Sequence, residues 1–150
     1  MGINVELLEQ GFQLVAPRGE ELVERFYERL FEKYPSVAPM FKHASMAEQK
    51  KKLLASLVLV VENLRRPDTL RNAVMELGVR HAAYGTQPVH YDAVVENLLA
   101  VFEEIAGPSW TDDIRAAWKD ALSAISSIMI EGTQRRTSGQ SSSPGSGRAA

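Results

Sequence analysis

Polar side chains that can do chemistry interrupt the apolar helical stripes of this 150-residue chain at His81, Gln49 and Tyr27. His81 follows Val74, Leu77 and Gly78 at steps of three and four residues, which keep side chains on one helix face. An imidazole in that position can ligate a metal, or it can be a core histidine whose nitrogens bond the backbone; spacing alone leaves both readings open. Gln49 leads into the stripe of Leu53, Leu57, Val60 and Leu64, where a buried amide needs a partner. Tyr27 shares a face with Val23, Leu30 and Tyr34, and its hydroxyl seeks a hydrogen bond if buried. Taken singly, Gln49 and Tyr27 read as helix-edge residues.

The chain has no cysteine, which excludes a disulfide framework, a thiolate-bound metal and a cysteine-ligated iron–sulfur cluster. Any metal must then use histidine or carboxylate. The formal charge is −2 and the basic residues are scattered, so no footprint for nucleic acid is present. The run Lys50-Lys51-Lys52 reads most simply as a solvated helix face.

The elements that must position these residues are helical throughout. Apolar residues recur at helical spacing, as in Leu22, Phe26, Leu30, and no stretch alternates like a half-buried strand. Breakers at Pro17, Pro35, Pro39, Pro67, Pro88 and Gly107-Pro108 then divide the chain. The pattern predicts an all-α fold with helices at about 3–15 and 18–34, a short turn at 36–41, then helices at about 46–65, 68–84, 90–106 and 112–132. Ser45 and Glu48 form the signature of a reciprocal capping box, and Thr111 is a candidate cap for the last helix. One domain over residues 1–133 is expected, and the Ser/Gly-rich stretch 134–150 is expected to be a disordered tail.

The N-terminal residues lack the basic start and apolar run of a secretory signal, and no stretch is long and apolar enough to span a membrane, so a cytoplasmic protein with no membrane partner is expected. Met1-Gly2 does not begin a myristoylation signal, because Glu6 stands where Ser or Thr is needed.

In an all-α chain of this length, the order Tyr27, Phe41, Gln49, Leu53, His81, Tyr91 resembles the globin family, specifically bacterial single-domain globins similar to the haem domain of flavohaemoglobins. The resemblance covers about residues 5–130. It is carried by Phe26-Tyr27, Pro39-Met40-Phe41, the stretches 46–53 and 77–85, His90-Tyr91 and Ala117-Trp118.

The resemblance implies a fold of about seven helices around a haem b pocket, with His81 as the proximal iron ligand. It implies Leu57, Leu77, Val89, Val94 and Leu98 as apolar cofactor contacts and Phe41 as the aromatic wedged against the porphyrin. Tyr27 and Gln49 match the distal polar pair, and Leu53 the apolar residue that crowds the gas ligand. A phenol donor in a dry pocket would hold bound dioxygen by a hydrogen bond. Lys52 and Arg80 are candidates to reach a haem propionate, while His43 and His90 read as surface or haem-edge residues.

Tyr91 matches a family tyrosine near the proximal imidazole, where hydrogen bonding through a carboxylate would make the ligand more electron-donating. The sequence departs from the family there. The glutamate position is occupied by Thr133, and the nearest acid, Glu131, lies roughly 200° around a helix from it.

The function implied is reversible binding of dioxygen, and of carbon monoxide and nitric oxide, at ferrous haem. Alternatives are conversion of nitric oxide to nitrate, which flavohaemoglobins perform, and haem-based gas sensing. The sequence carries no Gly-rich dinucleotide loop, so nitric oxide turnover would draw its electrons from a separate reductase.

Overall fold

A computed structural model describes residues 4–42, 44–83 and 88–142, for 81–83, 88 and 133–142 the backbone alone. Its α-helices are α1 (Val5–Val15), α2 (Gly19–Lys33), α3 (Met46–Glu62), α4 (Pro67–Ala83), α5 (Pro88–Ala106) and α6 (Asp112–Ser142). Short 3₁₀ helices at Ala16–Arg18, Pro35–Phe41 and Gly107–Ser109 join them, and no strand occurs among the described residues.

Proline sets most of the boundaries. Pro67 and Pro88 open α4 and α5 as first helical residues, where the missing N–H costs nothing. Pro35 and Pro39 remove two donors from one short segment, and the short turn expected at 36–41 is the 3₁₀ helix Pro35–Phe41.

Side-chain oxygens cap the starts of three helices. Asn4 accepts from Leu7 N–H at 3.1 Å, Ser45 from Glu48 N–H at 3.3 Å and Thr111 from Ile114 N–H at 3.2 Å. Only half of the expected capping box at Ser45 forms, because the Glu48 carboxylate turns toward Lys51, 3.9 Å away.

Two helix ends correct the expectations. α3 stops at Glu62 rather than near 65, because Asn63 leaves helical geometry and its side-chain amide donates to the Leu59 carbonyl at 2.8 Å. α6 continues to Ser142, ten residues past the end expected near 132. Gln134, Arg135 and Arg136 are good helix formers, and the next proline is Pro144. Residues 143–150 lie outside the described residues.

The core gathers the inward stripes of all six helices, with Leu8, Val15, Leu22, Phe26, Val74, Val101, Phe102 and Trp118 almost fully buried. Glycines let α6 approach its neighbours at backbone distance. A Cβ on Gly78 would stand 2.2 Å from the Met129 carbonyl oxygen, and one on Gly132 would stand 2.5 Å from that of Met75. These contacts lock α4 against α6. Likewise a Cβ on Gly11 would meet the Trp118 indole nitrogen at 2.5 Å, so α1 lies directly on that ring.

Charged pairs fix the register of α2 against α5. Arg25 bonds Glu104 at 2.8 Å, and Lys33 and the Tyr34 hydroxyl both reach Glu96, at 3.4 and 2.8 Å. The Tyr34 bond raises the tyrosine pKa and lowers that of Glu96. These groups are solvent-exposed, so they set register more than they add stability.

Candidate functional site

One polar hydroxyl stands inside an aromatic cluster. On α2, Tyr27 lies edge-on to Phe26 with ring centroids 5.0 Å apart, and it meets Phe31 at 5.9 Å and Phe41 at 5.7 Å. Phe31 and Phe41 close the group at 5.4 Å. The i, i+4 spacing of Tyr27 and Phe31 places both on one face, while the two prolines of the 3₁₀ segment fold Phe41 back onto it. Edge-to-face rings at these separations attract one another beyond simple burial.

Tyr27 is 8% exposed, and its hydroxyl has no hydrogen-bond partner among the described residues. Burial lifts its pKa to about 12. The phenol therefore remains protonated at neutral pH and keeps an uncommitted donor in an apolar enclosure.

Gln49 is half-buried on the first turn of α3 and forms no side-chain hydrogen bond among the described residues, so it is not bonded to Tyr27. Leu53 follows one turn later, half-buried and packed against the core, and Leu57 is buried at 5%. Lys52 points into solvent.

His81 lies in the last turn of α4, and its side chain lies outside the described ones. One turn before it, Leu77 is half-buried against the core and Gly78 rests on the Met129 backbone. The contact of Gly78 thus sets where α4, and with it the backbone of His81, sits over α6. Arg80 is exposed and pairs with Glu76 at 3.3 Å.

On α5, Tyr91 and Leu98 are buried at 6% and 2%, Val94 is half-buried, and Val89 is 65% exposed. His90 is half-buried, and His43 lies outside the described residues. Glu131, the acid nearest the vacant glutamate position, is bonded by Arg71 of α4 at 2.7 Å. Among the described residues no group of three or more His, Cys, Asp or Glu is placed to hold a metal.

Two contributors escaped the sequence. Phe31 completes the aromatic cluster and was visible only as an apolar residue one turn after Tyr27. Gly132 makes the second backbone contact between α6 and α4, and its only signal was a glycine within a helical stretch.

The fold is shared with known proteins. A family model described as Globin matches residues 24–129. A flavohemoprotein of Rhizobium meliloti is 29% identical over 118 residues, covering 77% of this chain, and the chain spans only 29% of that protein's length. An uncharacterized globin-like protein of Aquifex aeolicus is 30% identical over 127 residues, covering 85% of this chain and 89% of its own. The structure of a bacterial globin from Campylobacter jejuni superimposes with a TM-score of 0.76 at 25% identity, covering 89% of this chain and 96% of that one. With the family match running from α2 into α6 across every helix that builds the site, this all-helical chain belongs to the globin family, homologous to the haem domains of flavohaemoproteins and to bacterial globins.

Proposed function

We propose that the chain is a haem-binding protein that takes up dioxygen reversibly, with His81 as the iron ligand and Tyr27 as the hydrogen-bond donor to the gas. One observation carries this reading: a buried phenol, held by three aromatic rings and kept protonated, has its donor committed to no described residue. A phenol hydroxyl with no protein partner is available to donate to a ligand seated beside it.

The residues present fit a haem b. Phe41, Leu53, Leu77 and Val94 are half-buried and Val89 exposed, so their apolar side chains have surface left to cover a flat apolar ring. The donor set fits too, with an imidazole on α4 and no cysteine to compete. When bound, ferrous haem supplies the site that coordinates dioxygen, carbon monoxide or nitric oxide.

The protein's own part is to hold, orient and keep dry. His81 would bind from α4, whose placement rests on the glycine contacts with α6. Tyr27 would donate through its phenolic proton, and the rings of Phe26, Phe31 and Phe41 restrict its rotation and exclude water. Leu53 would limit the space beside the gas, and Gln49 would add a second, weaker donor. Lys52 is uncommitted and would be the better of the two propionate candidates, since Arg80 is already paired with Glu76.

Domain limits of 1–133 and a cytoplasmic setting belong to the same proposal. A second reading, oxidation of nitric oxide to nitrate with electrons from a separate reductase, draws support from the flavohaemoprotein relatives. Stopped-flow mixing distinguishes the two. Oxygen binding predicts dissociation that quickens when Tyr27 becomes Phe, whereas repeated nitric oxide consumption with a reducing system marks the enzyme.

A further inference from the structure

From Leu53 to Val61 every residue of α3 except Ala55 and Ser56 is a large apolar one. A helix apolar on all sides is ordinarily covered on all sides, yet one side of α3 faces a surface groove of about 440 Å³. Leu57 and Val60 are buried in the core, whereas Leu54, Val58 and Leu59 are half-buried and Ala55 is exposed. Those last four line the groove together with Lys51 and Glu62. The six positions recur at steps of three and four, so they form one stripe, on the opposite side of α3 from Gln49 and Leu53. Leu54 is seated against the start of α2, where a Cβ on Gly19 would stand 3.1 Å from it.

What covers the stripe follows from its order. A base stands at its N-terminal end, an acid at its C-terminal end, and apolar side chains between them. The contact of Lys51 with Glu48 is loose, at 3.9 Å between side chains 78% and 61% exposed. Glu62 is exposed and has no ion-pair partner among the described residues. A parallel copy of the stripe would set lysine beside lysine, whereas an antiparallel copy sets lysine beside glutamate. A half-turn rotation about an axis midway between Ala55 and Val58 pairs Lys51 with Glu62, Leu54 with Leu59 and Ala55 with Val58, and leaves no lining residue over. Ala55, next to the axis, is small enough for two helix axes to approach to about 8 Å.

We propose that a second copy of the chain docks in this groove, α3 on antiparallel α3, in a two-fold symmetric contact closed by a Lys51–Glu62 pair at each end. An isologous surface must be complementary to itself, and every lining residue meets that condition in a single register. An apolar centre within a charged rim is the usual anatomy of such a contact. One helix from each copy buries a small area, which makes the association weak and reversible. The inference rests on the stripe alone and is independent of haem.

Sedimentation equilibrium of the full-length protein from tens of micromolar to millimolar concentration tests it. The expected result is self-association that weakens about tenfold in Lys51→Glu and in Glu62→Lys, because each reversal acts twice in a symmetric contact, and that recovers toward wild type when both are combined. Ala55→Arg, at an exposed helical position, should abolish this association and leave the circular dichroism spectrum unchanged. A wild-type chain that stays monomeric throughout the range overturns the proposal. So does association indifferent to the single reversals and to Ala55→Arg, which would be held by another face, or a double reversal no tighter than either single one.

Discussion

Replacing Gly78 by alanine probes the contact that sets the position of α4. An added Cβ would lie 2.2 Å from the Met129 carbonyl oxygen and 2.7 Å from its Cα. A carbon and a carbonyl oxygen normally stay about 3.3 Å or more apart, so the helices must separate by about 1 Å. The obstacle is backbone, which cannot rotate away as a side-chain tip would. Overpacking of this kind costs about 1–3 kcal/mol, against about 1 kcal/mol gained from the higher helix propensity of alanine. The clash reaches into two backbone atoms, so the upper part of that range applies and a net loss of about 1–2 kcal/mol remains. For a chain of this size that is a fall in melting temperature of about 2–8 °C. Thermal unfolding followed by circular dichroism measures it, with Ser123→Ala, at an exposed position of α6, as the control for propensity alone. Haem retention should fall as well, because the displaced helix carries His81 one turn later. A Gly78→Ala protein that melts at or above the wild-type temperature would refute the reasoning.

Other expectations follow from the same contacts. Tyr27→Phe should release dioxygen about tenfold faster or more, at about 1.4 kcal/mol per tenfold, and change carbon monoxide release far less, as read by stopped-flow ligand displacement. Gln49→Leu should act in the same direction with smaller effect; wild-type rates in both variants would mean that another group faces the gas. Because burial raises the Tyr27 pKa from its usual value near 10 to about 12, folding stability should be intact below pH 10 and decline as pH rises through 12. Tyr27→Phe should remove that part of the alkaline loss in urea titrations at pH 9 and 11, and an unchanged difference would show that Tyr27 is not the group responsible. Thr111→Ala removes the oxygen that accepts from Ile114 N–H at 3.2 Å and should cost about 1 kcal/mol of unfolding free energy in urea, which a wild-type midpoint would contradict.

Local signals in the sequence carried much of the architecture. Proline at 35, 67 and 88 marked boundaries that the structure keeps, because a missing N–H acts on its own residue regardless of context, whereas Pro39 lies inside the 3₁₀ helix Pro35–Phe41. Ser45 and Thr111 cap as their side-chain chemistry suggests. Features that depend on distant residues were not legible in the same way. The helix end at Glu62 depends on the Asn63 side chain turning back onto Leu59, and the extension of α6 to Ser142 goes against a composition rich in Ser and Gly. Phe31 becomes part of the aromatic cluster only when Phe41 returns to it, and the meaning of Gly78 and Gly132 appears only once α4 crosses α6. The face that buries Tyr27 could be read from spacing. That its hydroxyl would find neither Gln49 nor any other described partner could not.

The visible absorption spectrum of the ferrous protein, taken for wild type and for His81→Ala with and without added imidazole, tests the central assignment most directly. The account predicts a histidine-ligated haem spectrum in wild type, its loss together with weak haem retention in His81→Ala, and its return when imidazole is supplied. A wild-type protein that binds no haem, or a His81→Ala protein with an unaltered histidine-ligated spectrum in the absence of imidazole, would contradict it.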